Sequence, residues 1–289
     1  MIARETRAAI DVALAACGIE IEPDAALDSL PGGDINEAAR VPVAGGGELF
    51  VKHNDAAPPG MFDAEADGLR WLADAGALIV PEVIAVGDGF LVLEMLDHRG
   101  RERDFDEQLG RGLAALHRAG ADGFGYPRDN FIALLPQANA PCPTWADFWF
   151  ERRVDPLIAL AAERRQVPRS SWAGLAEAIR VSMPELVEDE PPARLHGDLW
   201  SGNVIASRGA PAIIDPAVYG GHREVDLAML ALFGGLSERT ASAYDEVYPL
   251  AAGWRDRVAL WQVYPLLVHT VLFGGGYAAQ AEAALRRYA

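Results

Sequence analysis

Asp198 and Asn203 are separated by four residues, and Asp215 follows twelve positions after Asn203, beyond an apolar stretch. The segment reads Leu195-His196-Gly197-Asp198-Leu199-Trp200-Ser201-Gly202-Asn203-Val204-Ile205, then Ile213-Ile214-Asp215-Pro216. Short apolar pieces split by polar residues predict strand–loop–strand structure between 194 and 217. That layout can bring a loop acid, a loop amide and a strand-end acid to one point. Carboxylate and amide oxygens suit a hard cation such as Mg²⁺, and an acid beside them can accept or orient a hydroxyl proton. A turn capped locally by Asp198 and Asn203 is the plain alternative.

A second feature is a count. Of the 25 basic residues, 24 are arginine and Lys52 is the only lysine. In an Ala-rich chain where arginine replaces lysine so thoroughly, a surviving lysine is a candidate for a task the guanidinium cannot perform. Ammonium is a compact point charge, whereas guanidinium is a broad planar fork.

Other chemistries are excluded by what the sequence lacks. A P-loop needs Gly-Lys followed by Ser or Thr, and the sole lysine sits in Phe50-Val51-Lys52-His53. No Gly-x-Gly-x-x-Gly follows an early strand pattern, and Gly274-Gly275-Gly276 has no βαβ unit after it. The six histidines (53, 98, 117, 196, 222 and 269) include no His-Glu-x-x-His, so no zinc site is expected. Ser201 lacks the preceding glycine of a nucleophile elbow. The net charge of −17, with no local basic patch, excludes a nucleic-acid partner; it mildly favours cationic small substrates, with solubility alone as the plainer reading. The most apolar stretch, 261–277, is broken by Gln262, Pro265, His269 and three glycines, so no membrane partner is expected. The start of the chain reads as an amphipathic helix rather than a signal peptide. With two cysteines, Cys17 and Cys142, and no disulfide framework, a cytoplasmic location is the expectation.

Along the chain, residues 3–17 read as a helix and 27–30 as a short strand before Pro31-Gly32-Gly33-Asp34. Two strands, 38–44 and 48–53, flank the turn Gly45-Gly46-Gly47. A helix over 62–75 follows from Phe62, Ala66, Leu69 and Leu72, and a second hairpin over 83–86 and 90–94. This is a small sheet with one inserted helix. Beyond Leu96 the pattern turns helical: a helix from Phe105, then 145–165, 172–183, 224–233, 255–269 and 277–288. The expected fold is therefore α+β and two-lobed, with a small β-rich lobe (1–96) carrying one helix and a larger, mostly helical lobe (97–289). At 289 residues the length suits two lobes.

Glycine-rich turn, Lys52, Glu65 thirteen residues later on the next helix, a hinge, Asp198…Asn203 and Asp215 follow the order of the protein-kinase fold. Nearly end to end, the chain resembles the fructosamine 3-kinase (ketosamine kinase) family, relatives of the aminoglycoside phosphotransferases. The resemblance rests on Gly32-Gly33-Asp34-Ile35-Asn36, Leu49-Phe50-Val51-Lys52, Phe62-Asp63-Ala64-Glu65, Asp129-Asn130-Phe131-Ile132, Pro136-Gln137-Ala138-Asn139, Trp145-Ala146-Asp147-Phe148, His196 to Asn203 and, most specifically, Asp215 to Ala228.

The resemblance implies ATP and Mg²⁺ as cofactors and a ketosamine or glycated amine as small-molecule partner. The hydroxyl on its third carbon would be phosphorylated in a deglycation repair. An aminoglycoside or amino-alcohol kinase is the second reading, and a nucleotide-binding pseudokinase the third. In the roles implied, Asp198 faces the sugar hydroxyl, and Asn203 and Asp215 hold Mg²⁺. Lys52 neutralises the α/β-phosphates and pairs with Glu65, whose alternative is a solvated helix face. Gly32 and Gly33 approach the phosphates, and Glu94, Met95 and Leu96 form the adenine hinge. Asp226 anchors the catalytic loop. Trp200, Gln137, Asn139, Tyr219 and His222 are candidate sugar contacts, each with core packing or loop capping as the alternative. Pro216 stands where protein kinases have the Phe of Asp-Phe-Gly, so no in/out flip of that segment is expected. Oligomeric state stays open, with a monomer slightly favoured.

Overall fold

The computed structural model describes residues 4–21, 28–30, 36–97 and 99–289. Five antiparallel strands form one sheet: β1 (Asp28–Leu30), β2 (Glu37–Pro42), β3 (Glu48–His53), β4 (Val83–Gly87) and β5 (Phe90–Glu94), in the order β1-β2-β3-β5-β4. Period-2 alternation in β3 buries Leu49, Val51 and His53 on one face and leaves Phe50 and Lys52 on the other.

A helix covers each face. On the first, Ile10 and Leu14 of α1 (Arg4–Ala16) pack with Val41, Val51 and Val92. On the second, Phe62, Ala66 and Leu69 of α2 (Met61–Ala73) pack with Leu91 and Leu93. The sheet thus carries two helices rather than the single inserted one expected. The N-terminal helix joins it because its apolar stripe has the outer sheet face to cover.

The remainder is mostly helical: α3 (Phe105–Arg118), α4 (Trp145–Trp149), α5 (Asp155–Arg165), α6 (Arg169–Leu186), α7 (Glu224–Leu232), α8 (Glu238–Val247), α9 (Trp254–Trp261), α10 (Val263–Phe273) and α11 (Gly276–Tyr288). Three departures from the periodicity reading have physical causes. The helix expected over 145–165 contains a wide π turn, Phe150–Val154, within which Phe150, Arg153 and Val154 are all buried. The helix expected over 255–269 divides at Gln262, and Pro265 falls in the first turn of α10, where a missing N–H costs no helical bond. Helix α8 has too short an apolar stripe to register in the sequence. It is capped by the Ser237 hydroxyl, which accepts from the Thr240 amide at 3.1 Å.

Short two-stranded ribbons sit between these helices and the sheet: β6 (Asn130–Ile132) with β7 (Leu135–Gln137), β8 (Ala193–Leu195) with β11 (Tyr219–Gly221), and β9 (Val204–Ser207) with β10 (Ala210–Ile213). They carry the 195–221 segment past α2 at close range. A Cβ on Gly68 of α2 would stand 3.2 Å from Val218 and 3.5 Å from Pro216, so glycine permits the approach. The Tyr126 hydroxyl donates to Asp67 at 2.8 Å, Arg194 donates to the Trp71 carbonyl at 2.6 Å, and Ile79 bridges Ala212. Helix α2 is tied to both the sheet and the ribbons, and this fixes Glu65 between them.

Candidate active site

Lys52 donates to Glu65 Oε1 at 2.8 Å and to Asp215 Oδ1 at 2.9 Å. The Lys52 and Glu65 side chains are 12% and 9% exposed, so Glu65 is a buried partner rather than a solvated one. Burial alone would lower the Lys52 pKa, but the two carboxylates hold it above the ordinary lysine range. Glu65 comes from α2, Lys52 from β3, and Asp215 from the end of the β9–β10 ribbon. Asp215 adopts φ +57°, a left-handed conformation that aspartate tolerates better than most residues.

The catalytic-loop candidate is held from behind. Asp226, wholly buried, accepts the backbone N–H of His196 at 2.7 Å and of Gly197 at 3.0 Å, as well as His117 Nε2 at 3.3 Å. Burial pushes its pKa up, but these donors outweigh burial and hold it below the usual carboxylate value. At Gly197 a Cβ would fall 2.0 Å from the Ala217 carbonyl oxygen and φ is +81°, so no other residue fits. His196 Nε2 donates to the Ile214 carbonyl at 2.9 Å while Nδ1 accepts the Asp198 N–H at 3.3 Å. One neutral tautomer satisfies both bonds and ties the loop to the strand leading to Asp215.

Asp198 differs from Asp226. Burial, and then the nearby Asp215 carboxylate, push its pKa up to about 7, opposed by the Asn203 amide. Asn203 Nδ2 donates to the Asp198 carbonyl at 2.9 Å and to its Oδ2 at 3.2 Å. The amide oxygen of Asn203 is then the atom left for a cation. Among the described residues no three His, Cys, Asp or Glu side chains form a metal cage. Mg²⁺ typically takes one or two protein ligands and completes its shell with phosphate and water. Asn203 and Asp215, on one wall of one cleft, fit that pattern.

The cleft has a volume of about 780 Å³, within the range of small-molecule sites. Lys52, Glu65, Asp198, Asn203 and Asp215 form its polar side, while Ala38, Phe50, Leu93, Ile205 and Ile214 form an apolar slot edged by Glu94, Met95 and Leu96. Gly32 and Gly33 lie outside the described residues.

A search against protein-family descriptions matches fructosamine kinase over residues 13–289. The chain belongs to the fructosamine kinase family. It is an ATP-dependent kinase by that membership. A probable ketoamine kinase of Synechocystis is 40% identical over 266 residues, covering 90% of this chain and 88% of that protein. A chloroplastic protein-ribulosamine 3-kinase of Arabidopsis thaliana is 35% identical over 272 residues, covering 91% and 82%. A crystal structure from Thermobifida fusca, carrying a fructosamine-3-kinase assignment, superposes with TM-score 0.86 at 43% identity and covers 96% of this chain and 98% of that one. The aminoglycoside phosphotransferase APH(2'')-IIa shares the fold alone, with TM-score 0.66 at 14% identity over 99% and 97% of the two chains. The fold of this family member is thus the two-lobed kinase-like one.

Of the five candidate sugar contacts, Trp200 lines the cleft and the other four do not. Gln137 and Asn139 are 4% and 0% exposed because they hold backbone. Gln137 donates to Asn130 Oδ1 at 2.8 Å and to the Ala217 carbonyl at 3.2 Å, and it accepts from the Tyr264 hydroxyl. Asn139 donates to the Arg128 carbonyl at 3.1 Å and accepts from Arg153 at 2.6 Å. Tyr219 is fully buried beneath that guanidinium, which lies 4.1 Å from its ring. His222 stacks on Trp261 at 5.1 Å and accepts the Glu224 N–H. These four brace the site from the rear.

Sequence reasoning gave no role to Asn130 or Arg153. Asn130 lines the cleft and donates to the Val218 carbonyl at 2.9 Å, fixing the backbone just beyond Asp215. A polar residue opening the apolar run Asn130-Phe131-Ile132 was the available signal. For Arg153, one of 24 arginines, there was none.

Proposed function

We propose that this enzyme transfers the γ-phosphoryl group of ATP to the 3-hydroxyl of a ketosamine such as a ribulosamine or fructosamine, and that the 3-phosphate then breaks down to free the amine. The observation that carries the reading is the Lys52–Glu65–Asp215 cluster in the same cleft as Asp198 and Asn203. The ketoamine and ribulosamine kinases that this chain resembles supply the substrate class.

In this reading Asp198 orients the acceptor hydroxyl and takes its proton as the new P–O bond forms, a role suited by a pKa of about 7. Lys52 offers its charge to the α/β-phosphates, with Glu65 keeping the ammonium in place. Asn203 and Asp215 hold Mg²⁺, which neutralises phosphate charge when bound. Adenine occupies the slot edged by Glu94, Met95 and Leu96. Residues 1–96 serve as the nucleotide lobe and 97–289 as the catalytic and acceptor lobe. No described helix is long and apolar enough to cross a membrane, and the free Cys17 and Cys142 suit a reducing cytoplasm.

A coupled assay of ATP consumption tests the reading. Ribulosamine or fructosamine should react at least about tenfold faster than kanamycin-type aminoglycosides at equal concentration, a modest discrimination in transition-state binding. The reverse order removes the ketosamine assignment and leaves the kinase.

A further inference from the structure

Outside the cleft, and joined to it by Trp200, lies an aromatic surface with no part in phosphate handling. Trp200 lines the cleft and meets Phe233 edge-on, with ring centres 5.9 Å apart. Phe233 lies 5.3 Å from His269, which in turn lies 5.5 Å from Phe273 and 4.9 Å from Tyr277. The run crosses from the catalytic loop over the ends of α7, α10 and α11. Every exposed Trp or Phe among the described residues belongs to it: Trp200 at 38%, Phe233 at 38% and Phe273 at 58%. The described rings elsewhere are buried or half-buried, so these three are a built surface rather than overflow from the core.

His269 joins this surface to the chemistry. A small cavity is bordered by both Asp198 and His269, with Ile132, Met229 and Val268 around it. His269 Nδ1 faces the Pro265 carbonyl at 2.7 Å. Nδ1 therefore carries and donates the proton, and Nε2 remains an acceptor. Burial keeps the His269 pKa below the ordinary value, so the ring is neutral at pH 7 and does not repel a cation.

The chemistry of the acceptor supplies the occupant. In a ketosamine the amine is on carbon 1, two bonds from carbon 3. With the 3-hydroxyl at Asp198, the amine and its substituent must leave the reacting centre within a few ångströms. A secondary ammonium is attracted by aromatic faces and by a chain of net charge −17. We propose that Trp200, Phe233, His269, Phe273 and Tyr277 form the subsite for the amine-bearing half of the acceptor, and that it selects amines carrying an aromatic or extended apolar substituent. The proposal rests on the ketosamine reading above. His269 Nε2 accepts an ammonium N–H, and Phe233 and Phe273 cover the substituent.

The test compares two ribulosamines of the same sugar, one built on benzylamine and one on methylamine. Wild type prefers the benzyl compound in kcat/KM. Phe233→Ala and Phe273→Ala each lower the benzyl-to-methyl ratio by roughly two- to tenfold, the range of one lost aromatic contact. The change appears in the acceptor KM. A ratio unmoved in both variants overturns the proposal. So does a dimer in gel filtration that dissociates in Phe273→Ala, which would assign the surface to a second copy of the chain. If wild type consumes ATP with neither ribulosamine, the ketosamine reading has failed, and calorimetric titration with benzylammonium then decides the subsite. Saturable binding that weakens in both variants and is missing with methylammonium sustains it; no saturable binding overturns it.

Discussion

The cleft and the polar layer behind it contain the same kinds of residues in opposite states. Behind the cleft, Asp226 is wholly buried but has three donors, and its pKa lies below the usual carboxylate value. In the cleft, Asp198 has one side-chain donor, a neighbouring carboxylate and a pKa of about 7. Several rear polar groups hold backbone, as Gln137 does at Ala217 and Arg153 at Ala138. The front groups keep atoms and charge available. A buried polar side chain is therefore not by itself the mark of a site. The difference lies in the carboxylates: the rear one has donors enough to stay ionised, whereas the cleft one faces a second carboxylate and has its pKa raised, the kind of perturbation that clusters at functional sites.

Four substitutions break or sharpen this contrast, from the largest expected effect downward. Asp215→Ala removes the proposed charged ligand at the strand end and nearly abolishes turnover, with the residual activity needing far more Mg²⁺; a Mg²⁺ titration overlaying that of wild type contradicts the assignment. Asp198→Asn keeps ATP affinity nearly intact and lowers kcat by roughly 10²–10⁴, the scale of a lost general base. Near-normal turnover would mean that another group faces the hydroxyl. Lys52→Arg keeps the charge but must fit a broad fork between Glu65, Asp215 and phosphate. The lost contact costs about 1.5–3 kcal/mol, or roughly ten- to a hundredfold in kcat/KM for ATP. Unchanged kinetics would make the single lysine an accident of composition. Gln137→Ala leaves buried carbonyls short of a donor and lowers stability by about 1–3 kcal/mol, seen as a lower Tm with little change in acceptor KM. A raised acceptor KM with an unchanged melt would return Gln137 to the sugar site.

How much of this was legible depended on where each residue's partners lie. Asp198, Asn203 and Asp215 have fixed spacing within a short segment, and Lys52 stood out as the only lysine. The sheet followed from short apolar runs flanking glycine turns, and α2 from its helical pattern. The rear layer was not legible in detail because its bonds join distant parts of the chain to main-chain atoms. Asn130, on the cleft wall, reaches back to Val218, and Arg153 behind it reaches Ala138; backbone carbonyls leave no trace in a sequence. Gln137, Asn139, Tyr219 and His222 lay in the resembling motifs, yet motif membership does not distinguish contact from support. Three-residue strands such as β6 and β8 are too short for periodicity to register.

The most direct test of the contrast is a set of thermal melts of wild type, Asp198→Asn and Asp226→Asn between pH 5 and pH 8, without nucleotide. Asp198 has a folded pKa raised from the ordinary carboxylate range to about 7. Its ionisation therefore weakens the fold increasingly as pH rises toward 7, and the penalty is fully present above that. Asp198→Asn relieves it and should melt several degrees above wild type at pH 8, with the gap narrowing toward pH 5. Asp226 has a lowered folded pKa, so its stabilising contribution is intact above the ordinary carboxylate value. Asp226→Asn should melt well below wild type across the same range. Opposite signs at pH 8 are the predicted result; an Asp198→Asn variant that melts below wild type there, alongside Asp226→Asn, would contradict the account.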